Sequence, residues 1–136
     1  MKKRFIFSLF LGIAALSPLP AQAQCLQLPK SVLFEKLTWT EITQDISCGF
    51  TTIIVPVGGT EQSGPYIAVG KHNSRVLYLA ETLAEKTGKT LVAPAVAYVS
   101  ERGTTPRSSH MRFTGTITVS PGVFSNLLTV AGSGVT

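Results

Sequence analysis

This sequence has few of the features that mark nucleic-acid, membrane or cysteine-metal proteins. It holds only two cysteines, Cys25 and Cys48, and they lack the paired spacing of a cysteine-based metal site. No apolar run approaches the about 20 residues that span a bilayer. Basic clusters interleaved with aromatics are missing, which gives nucleic-acid binding no electrostatic footprint. There is no internal repeat and no low-complexity tract. Gly58-Gly59-Thr60 is not followed by the Lys-Ser/Thr of a phosphate-binding loop, and Glu61 beside it would repel an anion. What remains is a chain of 136 residues, 44% hydrophobic and 14% charged, which suits one small globular domain.

The formal charge of +5 overstates the basicity, because Lys2, Lys3 and Arg4 fall in a segment with the plan of an export signal. After this positive start, Phe5 to Leu16 is apolar, Ser17-Pro18-Leu19-Pro20 breaks the run, and Ala21-Gln22-Ala23 has the A-x-A form of a cleavage site. The expectation is a signal peptide over residues 1–23 and a periplasmic or secreted product that keeps no membrane segment. Gln24 precedes Cys25 where lipid attachment wants a small residue, so a soluble product is expected rather than a lipoprotein. In an oxidising compartment Cys25 and Cys48 either pair, pinning the N-terminal segment 24–36 to the first helix, or stay as two thiols.

The chemistry gathers between Thr52 and Asn73. Ile53 to Val57 is an apolar, β-branched run expected to form a strand buried on both faces. Gly58-Gly59 ends it with a sharp turn. Glu61, Gln62 and Ser63 follow, and His72 stands eleven residues after Glu61. Ligands of α/β sheets collect at the carboxyl ends of strands, so a carboxylate and an imidazole on this loop are a reasonable start for a metal site.

Around this loop the elements read as α/β. Thr38-Trp39-Thr40-Glu41 is a capping-box pattern that opens a helix to about Ser47, with Trp39 expected as a packing anchor beside Ile42 and Ile46. Asn73 or Ser74 is expected to cap a helix to Thr87, ended by Gly88. Short strands are expected at Thr90 to Ala93, Ala95 to Val99 and Thr116 to Val119. Ser100 to Ser109, with Arg102 and Arg107, is a polar loop suited to a cleft rim. Ser120-Pro121 opens a last helix.

Val57-Gly58-Gly59-Thr60-Glu61-Gln62-Ser63-Gly64-Pro65-Tyr66 resembles the V-G-S-x-E-Q-H-G-P-H signature of the creatininase (creatinine amidohydrolase) family. Leu91-Val92-Ala93-Pro94 with Tyr98 resembles the family's second strand. His110-Met111-Arg112-Phe113-Thr114-Gly115-Thr116-Ile117 resembles its H-M-x-F-P-G-T segment. The resemblance covers roughly residues 37 to 128. It implies a three-layer α/β/α fold with a mostly parallel sheet, represented by residues 37–136 as a partial domain truncated at the C-terminus. The family's later G-H-x-x-N-like ligand segment has no counterpart here, and its common hexamers suggest a homo-oligomer.

The resemblance also implies a divalent metal, zinc or manganese, and hydrolysis of a C–N bond in a small, cyclic or linear amide by metal-activated water. The family's first ligand falls on Glu61. Its second, a histidine, is replaced by Ser63, a poor zinc ligand. Its third, an aspartate, falls on His72, which retains ligand capacity. Glu61 and His72 are thus the metal candidates, with Gln62, Ser63 and His110 near the site or facing substrate. Each has a plainer reading: Glu61 closing the loop through N–H groups, His72 as a helix cap or solvated, His110 as a satisfied loop histidine. Arg107 and Arg112 could meet an anionic substrate or simply face water. The Ser63 and His72 replacements argue against creatinine itself as substrate. The competing functional reading is a catalytically inactive relic or a small periplasmic binding module.

Overall fold

The computed structural model describes Cys25 and residues 30–133, without the side chains of residues 130–133; the expected signal peptide over 1–23 lies outside the described residues. Helix α1, Trp39–Ser47, starts on the expected capping box. The Glu41 amide donates to Thr38 Oγ1 at 3.3 Å, and Glu41 Oε2 accepts from the Thr38 amide at 2.8 Å. Cys48 at the C-cap of α1 is joined to Cys25, their Cα atoms 5.4 Å apart.

Trp39 is not the expected anchor, being 78% exposed. The buried residue of α1 is Asp45. Six residues separate the two, which sets Trp39 roughly 120° round the axis from it at 3.6 residues per turn.

Strand β1, Thr52–Ile54, pairs in parallel with β2, Thr90–Val92, in the register Ile53↔Leu91. The connection is helix α2, Lys71–Thr87, which forms a βαβ unit with the two strands. α2 begins two residues before the expected cap at Asn73 and ends at Gly88, whose φ of 67° suits glycine. The small side chains Ala80 and Ala84 let α2 lie close on β2, closing a core with Leu33 and Val92; Leu77, Ile54 and Val32 pack around it. Leu33 bridges Val92 in parallel on the other side of β2 from β1. By strand alternation Ile53 and Leu91 face the opposite way, into a cleft bordered by Ile42 and Ile46 of α1. Helices thus lie on both sides of a parallel sheet, the expected α/β arrangement.

The strands are shorter than the sequence suggests, and proline explains where they stop. The β1–β2 ladder ends with Ala93 donating to Ile54 O at 2.8 Å. Pro56 lacks the N–H that would continue the ladder from β1, so pairing lapses and resumes as a bridge, Val57↔Val96. The expected strands Ala95 to Val99 and Thr116 to Val119 occur only as bridges, Val99↔Thr118 in parallel and Thr60↔Ile117 antiparallel. Threonine hydroxyls replace some ladder bonds here: Thr60 Oγ1 donates to Ala97 O, and Thr118 Oγ1 accepts from the Glu101 amide. Nor is the first strand's run buried on both faces, since Val55 and Val57 are 37% and 39% exposed.

The last helix, α3, spans Pro121–Ser133, with Ser120 Oγ accepting from the Val123 amide. Among the described residues, no helix is long and apolar enough to cross a membrane.

Candidate active site

The loop after β1 is fixed from beneath by α2. Gly58 sits so close to the helix that a Cβ there would lie 2.1 Å from Asn73 Oδ1 and 2.9 Å from the Asn73 backbone. That contact is why Asn73 serves inside α2 and not as its cap. Its Oδ1 accepts from the Gly59 amide at 2.9 Å, and its Nδ2 donates to Thr60 Oγ1 at 3.2 Å. Gly59 has a φ of 117°, and a Cβ there would meet Glu101 Oε1 at 2.9 Å. Two glycines therefore allow two close approaches, one from the helix and one from a distant carboxylate.

From the other side the loop is held by Thr116. Its Oγ1 accepts from the Gln62 amide at 3.0 Å and donates to His110 O at 2.9 Å. His110 returns the contact: its Nδ1 lies 2.9 Å from Gln62 O. A carbonyl only accepts, so Nδ1 carries the hydrogen, and neutral His110 keeps Nε2 as its acceptor. Gln62 thus enters the site through its backbone.

Glu61 is the centre of the cluster, with its side chain 14% exposed. Oε1 lies 2.8 Å from His72 Nε2 and 3.3 Å from Lys71 Nζ; Oε2 lies 3.5 Å from His110 Nδ1. The carboxyl of Glu101 lies beside that of Glu61, close enough for each to shift the other's ionisation. Lys71 also donates to Ser63 Oγ. Burial pushes the Glu61 carboxyl up, but the hydrogen bonds from His72 and Lys71, with Glu101 beside them, outweigh it and hold the group below its usual range. Glu101 moves the other way: burial raises it, and the hydrogen bond and negative charge of Glu61 raise it further. The two neighbouring carboxyls are thus pushed apart, Glu61 downward and Glu101 upward.

The sequence candidates Glu61, His72, Ser63 and His110 are therefore brought together, while Arg107 and Arg112 are exposed and take no part in the contacts around Glu61. Two members were not foreseen. Lys71 adjoins His72, and the expected helix start at Asn73 left it reading as loop. Glu101 had only the signal of a lone acid in a polar loop, although the chain holds just seven acidic residues.

Among the described residues no three His, Cys, Asp or Glu side chains are arranged to hold a metal ion. Glu61 Oε1 and His72 Nε2 lie 2.8 Å apart as a direct hydrogen bond, closer than the roughly 3.3 Å between neighbouring ligands of a tetrahedral zinc site. A carboxylate and an imidazole are nonetheless the right donor types for one ion, with its remaining ligands supplied from elsewhere. They do not suit a second, since Ser63 offers a neutral hydroxyl and Lys71 a positive charge.

The sequence profile of the creatinine amidohydrolase family matches residues 35–136. A curated relative, the 3-dehydro-scyllo-inosose hydrolase of Thermotoga maritima, is 36% identical over 70 residues, covering 51% of this chain and 22% of that protein. A mutant creatininase superposes with a TM-score of 0.64 at 24% identity, and a creatinine amidohydrolase crystal structure with 0.60 at 26%; each covers 73% of this chain and 38% of its own. Related creatininase structures of the same fold are described as a Zn-Zn type, an Mn form and a complex with creatine. The chain spans well under half the length of these relatives. The match over residues 35–136, with the fold and the Glu61 loop, places the chain in the creatininase family.

Proposed function

We propose that the chain contributes the Glu61 side of an exported amidohydrolase site that opens a C–N bond in a small, cyclic or linear amide. The observation that carries this reading is the convergence of His72, His110 and Glu101 on Glu61 at the carboxyl end of β1. A zinc or manganese ion held at Glu61 and His72 supplies Lewis acidity and a water of lowered pKa. The chain's own groups do the rest. Glu61 orients His72. The Gln62 carbonyl fixes the tautomer of His110, leaving Nε2 able to accept a proton. Glu101, its carboxyl raised by burial and by Glu61, is the candidate acid toward a departing nitrogen. Family membership does not choose the substrate, since one relative is named for an inosose and others for creatinine.

The test is hydrolysis of a panel of small lactams and linear amides by the purified chain, with and without added zinc or manganese. Turnover that disappears with a chelator and in Glu61→Gln is the expected result. Turnover indifferent to both would overturn the reading. A folded, metal-loaded chain with no turnover on any amide would favour the second reading, a non-catalytic binding module. The Lys71 ammonium lying against Glu61 and Ser63 is the observation on its side.

A further inference from the structure

We infer that Lys71 is a built-in cation of this site, so that the Glu61 pocket accepts at most one divalent ion. The inference rests on the reading of Glu61 and His72 as an ion-binding pair and goes beyond it by assigning the neighbouring position to a side chain.

Lys71 is the first residue of α2 and His72 the second, yet both side chains reach the same oxygen, Glu61 Oε1. The Lys71 side chain is 25% exposed and that of Glu61 14%. This is a partly desolvated ion pair, not a contact between two chains waving in water. Lys71 also donates to Ser63 Oγ, so its ammonium joins the only two side chains of the E-x-S triplet that the site uses.

The acceptor capacity of Glu61 points the same way. A carboxylate has about four lone-pair positions; His72 and Lys71 both contact Oε1, and Oε2 faces His110 Nδ1 at 3.5 Å. An ion held by Glu61 and His72 would take the place of their mutual hydrogen bond and would not require removal of the Lys71–Ser63 contact. An ion on the Ser63 side has to displace the ammonium and then finds a neutral hydroxyl as its ligand. A related creatininase is described as a Zn-Zn type; in this chain one positive charge is already supplied by the protein.

The experiment is zinc titration by calorimetry, with elemental analysis after dialysis. It compares the wild-type chain with Lys71→Met, with Lys71→Gln, which keeps a hydrogen bond to Ser63, and with Lys86→Gln as a matched loss of charge on the exposed part of α2. Circular dichroism confirms folding of each. The expected result is no more than one zinc per wild-type chain, bound at least tenfold more tightly once Lys71 is neutralised, with Lys86→Gln unchanged. Two zinc ions per wild-type chain would overturn the inference. So would neutral Lys71 variants that are folded yet bind zinc as the wild type does, or a Lys86→Gln shift of equal size. Glu61→Gln separates the two levels: zinc lost in Glu61→Gln but untouched by Lys71→Met leaves the metal reading standing and removes this one. Zinc binding that survives Glu61→Gln removes the metal reading itself.

Discussion

The loop around Glu61 and the apolar groove beside α3 are built on opposite terms. At the loop, side chains from β1's end, α2, the Glu101 loop and the 110–116 turn lock one another through short, mutually dependent hydrogen bonds. At the groove, Val55, Tyr98, Val123 and Leu127 line a cavity of about 530 Å³ and are each at least 37% exposed. The core that supports both is small: Leu33, Ala80, Ala84, Leu91 and Val92 are the buried hydrophobic residues described. In this chain geometry is dictated by polar contacts at the site more than by apolar packing at the groove. Substitutions should therefore be felt far more sharply at the loop.

The same change made in the two regions gives the largest contrast. Gly58→Ala drives a methyl into Asn73, including its backbone, which has nowhere to go. The expected loss is at least ~3 kcal/mol, seen as a fall in the urea midpoint or as failure to fold. Gly122→Ala, in α3, meets nothing within 4 Å. It should leave stability unchanged or raise it by up to roughly 1 kcal/mol through helix propensity. Equal losses at the two positions would dismiss the contrast.

Thr116→Val comes next. The substitution preserves shape while removing the hydroxyl that accepts from the Gln62 amide and donates to His110 O. Leaving both backbone groups short of a partner should cost about 2 kcal/mol. It should also shift the NMR signals of His110, which a purely apolar role for Thr116 would not move.

How much of this was visible in the sequence depends on the range of the interaction. The capping box at Thr38 and Glu41, the Gly88 stop and the Ser120-Pro121 start are local chemistry, and each falls where the residues place it. The membership of Glu61, His72 and His110 in one cluster was legible through the family resemblance. Lys71 and Glu101 were not, for different reasons. Asn73 looked like a cap because nothing local shows that its side chain is taken by Gly59 and Thr60, fourteen and thirteen residues back. Moving the helix start forward hid Lys71. Glu101 reaches Glu61 only because Gly59 leaves room and Thr118 holds its amide, contacts between parts of the chain far apart in sequence. The strands were overestimated because β-branched runs at 53–57 and 95–99 speak for extension, while the ladder depends on an N–H group that Pro56 does not have.

The carboxyl pair offers a smaller test, and one with a definite sign. Glu101 is raised in the folded chain, so it binds its proton more tightly there than in the unfolded chain. Its contribution is fully present below the ordinary value of 4.5 and is lost as pH rises through the raised folded value. Glu61 is lowered, and its contribution is present above 4.5 and lost as pH falls through the folded value. Glu101→Gln keeps a donor for Glu61 without a titrating proton. The variant should lose the decline in stability above pH 4.5 and end more stable than the wild type beyond that window. Thermal melts across pH 4 to 8 measure this, and parallel curves for the two proteins would count against a raised Glu101 carboxyl.

The groove should give the smallest response in stability, and for that reason it tests the comparison most directly. Val123 is 55% exposed and Leu127 47% exposed, on one side of α3. A lysine at either position can keep its stem on the apolar surface and its ammonium in water. Val123→Lys with Leu127→Lys should therefore change stability by no more than about 0.5 kcal/mol, the range of ordinary surface substitutions. The same pair should lower light scattering at high protein concentration, because a contiguous apolar patch favours association and two like charges oppose it. A loss of several kcal/mol would show that the groove side is part of the core after all, and that polar contacts at the loop are not what holds this chain in shape.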